Sequence, residues 1–345
     1  QGLPAIPDAP AGDRLAMPLT AALLTADDNF KRGYIQSWNA TLERQFGNWI
    51  ASAGYVATRS IRQISFLDAN YALPGTGVSG QQLVRRFNRA ASTQFVGHAG
   101  VPKYDSLQTR LQRRMHGYSV SLSYTWSHSR GYGAENSVSS PRVAIPEFWR
   151  KNYGPTPVDV RHNFAGTAVI ELPFGRGKRW AGDGAAAAVL GGWQLNSVAS
   201  LHTGFPVTPA APATVLNAPG NGNFADCLGP VEKIGSPNLW WNPSNLADPN
   251  RVSPSTPRFG TCGAGVLRGP GLVNFDLGIF RKFRVTERLD VQFRAEAFNV
   301  SNTPHFANPG ADIAGAGFGV VNGMQNTGRE GIDQRFLRFG LRIGW

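Results

Sequence analysis

Residues 334–345 alternate between apolar side chains and a second set of residues that includes Arg338 and Arg342. The two sets must lie on opposite faces of a β-strand, because strand side chains point to alternate faces. A soluble sandwich would bury the apolar set in a core, whereas a membrane barrel would turn it toward lipid and place the arginines in a polar lumen. The apolar set is Leu337, Phe339, Leu341, Ile343 and the terminal Trp345.

Eight further stretches show alternation of the same kind. In the most regular of them, apolar Tyr118, Leu122 and Trp126 alternate with serine and threonine, and the two aromatic residues lie where the two aromatic girdles of a barrel would be. Including the last stretch, the sequence predicts nine strands. Their ranges are 34–43, 49–58, 106–115, 118–127, 161–172, 193–203, 273–283, 289–300 and 334–345.

The connections between these strands alternate in length. Compact turns near residues 47, 116, 180 and 287 alternate with long loops at 59–103, 128–160, 204–271 and 301–333. Short periplasmic turns and long extracellular loops are typical of outer-membrane barrels. We therefore predict an all-β fold, an antiparallel up-and-down segment of a transmembrane barrel, with a loop at 1–33 and the wall at 34–345. Because single-chain bacterial barrels close with an even number of strands, one strand or many are expected to be missing.

Composition excludes several classes of protein. No apolar run approaches the roughly 18 to 20 residues that a spanning helix needs, and the charged fraction of 16% is low for a soluble protein. The net charge of +12 comes from arginines dispersed along the strands, so a nucleic-acid partner is not expected. The chain shows neither an initiator methionine nor a signal peptide, so we expect a mature or truncated product.

Short motifs in a fixed order resemble the C-terminal half of a TonB-dependent outer-membrane receptor of the Oar-like type. The motifs are YIQSWN at 34–39, YTWS at 124–127, DVRH at 159–162, LPFGRGKR at 172–179, GGW at 191–193, FRAEAFNV at 293–300 with Asn302, and FG at 318–319. The ending also resembles the assembly signal of outer-membrane barrels, with terminal Trp in place of the usual Phe. The positions of that signal are Phe339, Gly340, Leu341, Ile343 and Trp345.

This resemblance implies a fragment of a receptor for energy-coupled uptake, located in the outer membrane of a Gram-negative type bacterium. Such transporters are plugged barrels of 22 strands, so these strands would be the last part of the wall. The implied partners are outer-membrane lipid, the barrel assembly machinery and an unknown extracellular ligand. The TonB complex would act only through a plug, and no plug or TonB box is recognisable in this sequence. An alternative is an all-β surface binding or structural module without transport activity, which would not require detergent for extraction.

The alternation also predicts which side chains face the lumen. They are the polar members of the strands: Gln108, Arg110, Gln112, Ser121, Ser123, Gln194, Asn196, Asp276, Gln292, Arg294, Glu296, Arg338 and Arg342. The apolar residues between them, such as Leu122, Leu195, Phe293 and Leu341, are expected to face lipid.

The loop at 204–271 contains both cysteines and a pair of tryptophans. Cys227 and Cys262 are expected to form a disulfide in an oxidising compartment, the alternative being two unpaired thiols. Trp240 and Trp241 could stack on a sugar or aromatic ligand of the loop, or pack within the loop itself. His162, beside Arg161, could be a catalytic or metal fragment or an ordinary contact at a strand end, and the latter is expected. We expect no catalytic residue, no metal and no cofactor, since no triad or zinc-ligand spacing is recognisable.

Overall fold

A computed structural model describes residues 18, 20–26, 29–75, 86–87, 91–98, 100–132, 141–216, 218–252, 255–325 and 334–345. Its dominant element is one antiparallel sheet in which nine strands follow each other in chain order. The strands are β1 (Tyr34–Phe46), β2 (Trp49–Ile61), β3 (Lys103–Met115), β4 (Tyr118–Gly131), β5 (His162–Glu171), β6 (Trp193–His202), β7 (Leu272–Arg284), β8 (Asp290–Phe298) and β9 (Phe336–Gly344). A two-residue strand, Gly154–Pro155, pairs with the end of β4 and makes the sheet ten-stranded.

The predicted all-β, mainly antiparallel architecture is confirmed, and each predicted strand overlaps one strand from β1 to β9. Every strand pairs with the next one along the chain, so successive connections lie at opposite ends of the sheet. We call these the short-turn end and the long-loop end. Tight turns at 47–48 and 116–117 lie at the short-turn end, where Gly47 and Gly117 adopt φ angles of 56° and 69° that favour glycine.

The sheet does not close on itself. Strands β1 and β9 are its two edges, and every residue of both is exposed. An open edge presents a row of unpaired backbone N–H and C=O groups. These two edges therefore lack the partners that a closed barrel would give them.

The long loops contain structure that the alternation did not predict. The strand Leu23–Ala26, which falls within the predicted loop 1–33, pairs in parallel with Thr93–His98, and Ile64–Asp68 pairs on the other side of that strand. Strands this short show too little alternation to be recognised, and their partner is distant in the chain.

The remaining elements are short. Within 204–271, four two-stranded sheets pair Pro206–Val207 with Leu267–Arg268, Ala210–Ala211 with Asn223–Phe224, Asp226–Cys227 with Leu246–Ala247, and Lys233–Ser236 with Leu239–Trp241. In the residues that the structure describes, the helices are Gly184–Leu190 and Pro249–Val252, with 3-10 helices at Pro146–Asn152 and Pro243–Asn245. In the described part of the chain, none of the helices has the length and apolar character needed to cross a membrane.

Candidate functional site

The strand register divides the sheet into two chemically different faces. Residues directly opposite each other on neighbouring strands point to the same face, so the pairings can be followed from β1 to β9. Followed in this way, all of the residues predicted to face the lumen lie on one face, which we call the polar face. Leu122, Leu195, Phe293 and Leu341 lie on the opposite face, which we call the apolar face.

The apolar face carries a continuous band without charge. Every second residue of each strand belongs to this face, beginning with the first residue of each range below. None of these residues is Asp, Glu, Lys or Arg at 34–42 in β1, 49–57 in β2, 107–111 in β3, 118–126 in β4, 162–170 in β5, 193–201 in β6, 273–279 in β7, 291–297 in β8 and 337–343 in β9. On β3 the band lies between Asp105 and Arg113, a distance of roughly 26 Å at about 3.3 Å per residue. The apolar belt of an outer-membrane barrel is about 25 Å tall.

Exposure along β7 is the reverse of that in a soluble sandwich. On the apolar face, Val273, Phe275 and Leu277 are 38–41% exposed, whereas Asn274 and Asp276 on the polar face are only 4% and 8% exposed. The Asp276 carboxylate accepts hydrogen bonds from the Asn274 amide at 2.9 Å and from the backbone N–H of residue 299 at 3.0 Å. The polar face is therefore the covered one at the long-loop end.

Charged and amide side chains on the polar face bind each other. Arg294 donates to the Gln292 side chain at 2.8 Å, and Arg338 of β9 forms an ion pair with Glu296 of β8 at 3.0 Å. Nearby, a groove of about 220 Å³ opens on the same face above Gly278. A β-carbon there would come within 3.2 Å of the Phe280 ring, so the missing side chain helps to keep the groove open. Asn196, Asp276 and Glu296 are among its lining residues.

A second groove, of about 270 Å³, lies on the polar face near the short-turn end. Glu171 and Lys178 form an ion pair at 2.9 Å at its edge, and Gln194 and Gln292 also line it. Both grooves have mixed linings, in which charged and amide side chains lie beside apolar ones such as Phe280.

The long loops pack together at the long-loop end of the sheet and form the loop cap, which comprises the described residues of 64–75, 141–160, 204–271 and 301–325. It has two hydrophobic clusters. The first contains Val143, Ile145, Leu216, Ala218, Phe224, Phe259 and Ala264, and the second contains Val207, Trp240, Trp241, Leu267 and Phe318. The first cluster joins segments from two different loops, so the cap is a packed body rather than a set of independent loops.

The tryptophan pair lies inside the second cluster. Trp240 and Trp241 are 7% and 2% exposed, and both indole N–H groups donate to the carbonyl oxygen of Arg268, at 3.2 and 3.1 Å. Trp241 also packs against Phe318. This arrangement corresponds to packing within the loop, and it leaves no open ring face for stacking on a ligand.

A buried carboxylate connects the cap to the sheet. The Asp159 side chain is fully buried and pairs with the Arg268 guanidinium, which also donates to the Asp159 carbonyl oxygen at 2.7 Å. The Asp159 carboxylate also accepts a hydrogen bond from the backbone N–H of Ser129 in β4, at 2.5 Å. Burial raises the pKa of Asp159, but Arg268 and the Ser129 hydrogen bond outweigh it and hold that pKa below its usual range.

The DVRH motif gave a partial signal for this network, because Asp159 and Arg161 belong to it. Arg161 lies 3.4 Å from the Asp159 carboxylate, whereas His162 contacts the Tyr124 hydroxyl at 2.7 Å. Arg268, more than a hundred residues away, carried no signal in the sequence. Among the described residues no group of three His, Cys, Asp or Glu side chains could hold a metal ion.

A second ion pair lies beside the cysteines. Asp226 binds Arg258 through two hydrogen bonds of 2.9 and 2.6 Å and accepts from the backbone N–H of Thr261. Burial acts to raise the pKa of Asp226, yet the hydrogen bonds from Arg258 and Thr261 lower it overall. The neighbouring residues Cys227 and Cys262 are joined by a disulfide, with their Cα atoms 4.9 Å apart. Two cross-links, one ionic and one covalent, thus close the same segment of the cap.

We expect this disulfide in the protein isolated from cells. A tryptic digest analysed by mass spectrometry without reduction should contain a peptide pair linked through Cys227 and Cys262. Closing a segment of this length should stabilise the cap by about 3 to 4 kcal/mol on the chain-entropy account. Recovery of both cysteines alkylated before any reduction would contradict the prediction.

The residues of the predicted assembly signal lie on β9 or directly after it. Their strand is an exposed edge, and Trp345 is 95% exposed at the short-turn end. This placement leaves the signal accessible, and its role remains a prediction.

Several solved structures resemble the chain, all at low identity. The outer membrane transporter YddB from Escherichia coli is 9% identical with a TM-score of 0.49, over 94% of this chain and 34% of that one. A point mutant of the ferric enterobactin receptor PfeA from Pseudomonas aeruginosa is 10% identical with a TM-score of 0.46, over 92% and 32%. The FrpB iron transporter (F3-3 variant) from Neisseria meningitidis is 11% identical with a TM-score of 0.41, over 94% and 32%.

The chain spans about a third of the length of these structures. No curated protein sequence matches it. A family described as "Outer membrane beta barrel domain" matches residues 1–335, which is nearly the whole chain. The chain belongs to the outer membrane beta barrel domain family, and it is a protein of the outer membrane.

Proposed function

We propose that the chain forms part of the wall and the extracellular loops of a TonB-dependent receptor of the Oar-like type, a 22-stranded barrel for energy-coupled uptake. The observation that carries the proposal is the contrast between the faces, an apolar face with a charge-free band and a polar face lined with Arg, Glu, Asp and Gln. In this proposal the apolar face contacts lipid and the polar face lines the transport path. The order of the sequence motifs supports this family in preference to other outer-membrane barrels.

The orientation follows from the connections. Short turns belong at the periplasmic side and long loops at the extracellular side of such barrels. The loop cap would then be the surface that meets an extracellular ligand, and β9 would present the assembly signal to the barrel assembly machinery. Coupling to the TonB complex would pass through a plug, whose position we assign to no residue of this chain.

The cap suits this role because it is rigidly cross-linked. Binding costs less when the receptor surface is already ordered. The Asp226–Arg258 pair and the neighbouring disulfide hold one segment, and the Asp159–Arg268 pair fixes the cap to the end of β4. A ligand would therefore meet a preformed surface over the polar face.

The open edges give the proposal a direct test. Unpaired backbone groups inside a bilayer cost several kcal/mol each, so β1 and β9 need partner strands. The 345 residues and the complete protein should each be expressed behind a signal peptide and compared in outer membranes. We expect the complete protein to migrate as a heat-modifiable, protease-resistant species and these residues alone to be degraded.

Two results would count against the proposal. If these residues alone gave a compact, resistant, heat-modifiable species, the sheet would close by itself and membership of a 22-stranded wall would have to be abandoned. If the complete protein were extracted in salt without detergent, the alternative of a surface binding or structural module would replace it.

A further inference from the structure

The apolar face carries three arginines at its short-turn edge, below the charge-free band. They are Arg44 on β1, Arg113 on β3 and Arg281 on β7. Each one is stacked on aromatic side chains of the same face. The Arg44 guanidinium lies 4.8 Å from the centre of the Phe46 ring. These arginines extend across much of the width of the sheet, which indicates a row rather than a single local contact.

Arg113 has the most complete aromatic surround. Its guanidinium lies 5.1 Å from the ring centre of Trp49, directly opposite it on β2, and 5.3 Å from that of Tyr118 on β4. Arg281 repeats the arrangement on β7, at 5.4 Å from Trp193 on β6 and 4.3 Å from Phe283 on its own strand. Stacking of this kind holds a guanidinium in a fixed position.

The positive charges at this edge are not balanced by carboxylates. In the described part of the chain, neither Arg113 nor Arg281 forms an ion pair, and the Nε atom of each is buried without a hydrogen-bond partner. The Arg281 terminal nitrogens donate to the carbonyl oxygens of Ala188 and Val189, which fixes the side chain but adds no formal negative charge.

One arginine at the opposite edge of the apolar face is placed differently. There Arg59 stacks near Trp38, but it also forms an ion pair of 2.7 Å with Asp105, which accepts a further hydrogen bond from the Tyr55 hydroxyl at 2.5 Å. Arg59 is therefore neutralised by a carboxylate, whereas no carboxylate pairs with Arg113 or Arg281 in the described part of the chain.

We infer that the short-turn edge of the apolar face binds the phosphate groups of anionic phospholipids, with Arg113 and Arg281 as the two principal contacts. This inference depends on the proposed function, because it requires the apolar face to contact lipid. At the membrane interface the cost of an arginine on a lipid-facing surface falls close to zero, and a guanidinium matches phosphate geometry. The aromatic rings lie at the depth of the headgroups, where tryptophan and tyrosine are enriched.

The native tryptophans beside these arginines provide the measurement. The full-length protein is reconstituted in phosphatidylcholine bilayers that contain either brominated phosphatidylglycerol or the same fraction of brominated phosphatidylcholine, and quenching of tryptophan fluorescence is compared. Because each arginine near an anionic surface should enrich the anionic lipid about five-fold, brominated phosphatidylglycerol should quench the wild type more strongly.

The variants assign the effect to the two arginines. In Arg113→Gln/Arg281→Gln the excess quenching by brominated phosphatidylglycerol should disappear, whereas Arg113→Lys should retain most of it. Arg294→Gln is the matched control, since Arg294 is stacked 5.4 Å from Phe280 on the polar face, and it should behave as the wild type. Trp49→Phe/Trp193→Phe should remove the excess quenching while leaving the arginines in place.

Two results would overturn the inference without contradicting a lipid-facing wall. One is equal quenching of the wild type by the two brominated lipids, and the other is excess quenching by brominated phosphatidylglycerol that persists in the double arginine variant. If brominated phosphatidylcholine caused no quenching in any variant, the apolar face would not contact acyl chains. The proposed function would then fail together with this inference.

Discussion

Replacing Leu122 by arginine should severely impair assembly, whereas the same replacement at Ser121 should be tolerated. Leu122 lies in the middle of the charge-free band of β4, opposite Leu111 and Gly166, and Ser121 lies on the polar face, opposite Gln112 and Thr167. An arginine at the lipid midplane costs about 2 to 4 kcal/mol, whereas substitutions on a lumen face change selectivity rather than stability.

The measurement is the fraction of protein recovered as a folded, heat-modifiable band in outer membranes. The two variants differ by one position in the chain and introduce the same side chain, so expression and charge are matched. A loss confined to Leu122→Arg is expected. Equal recovery of the two variants would mean that the faces of β4 meet similar surroundings, which contradicts a barrel wall.

Replacing Arg268 by methionine should open the loop cap. Asp159 would keep a fully buried carboxylate without its main partner, and removing one member of a buried ion pair typically costs about 3 to 5 kcal/mol. Limited proteolysis of the cap in membrane-embedded protein follows the population of locally opened states. Cleavage should therefore become about 100-fold faster or more.

Two further variants make this result specific. Lys178→Met removes the partner of the partly exposed Glu171 and should change cleavage little, since exposed pairs contribute about 0 to 1 kcal/mol. Arg268→Met/Asp159→Leu removes both buried charges and should recover part of the loss. If Arg268→Met were cleaved at the wild-type rate, Asp159 would not be anchoring the cap.

The same carboxylates predict how the cap responds to acid. The pKa values of Asp159 and Asp226 are lower in the folded cap than the ordinary value of about 3.9. Their stabilisation is therefore fully present above about pH 4 and is lost as the pH falls through the lowered folded values. Protease sensitivity of the cap, tested with an acid-active protease, should increase below that pH and not between pH 5 and 8.

The wall could be predicted from the sequence because its signal is local. In β4 the alternation of Tyr118 to Ser127 assigns each side chain to a face without reference to any other strand, and the register then places that strand between β3 and β5. Turn glycines such as Gly117 mark the hairpins in the same local way.

The loop cap could not be predicted for the opposite reason. Its contacts join residues that are far apart in the chain, such as Asp159 with Arg268 and Lys151 with Gly260. Its strands are mostly two residues long, which is too short for any periodicity to show. The unbalanced arginines on the apolar face were missed because a charge near a strand end looks the same in sequence whether or not a carboxylate faces it.

A spin-label scan of β4 is the most direct test of whether the apolar face contacts lipid and the polar face contacts water. Single cysteines are placed in turn at residues 118–127 of the membrane-embedded protein, labelled, and measured for collision with oxygen, which concentrates in lipid, and with a water-soluble nickel chelate. We expect frequent collision with oxygen at 118, 120, 122, 124 and 126 and frequent collision with the nickel chelate at the positions between them. Apolar positions shielded from both reagents would indicate a soluble core and would contradict this expectation.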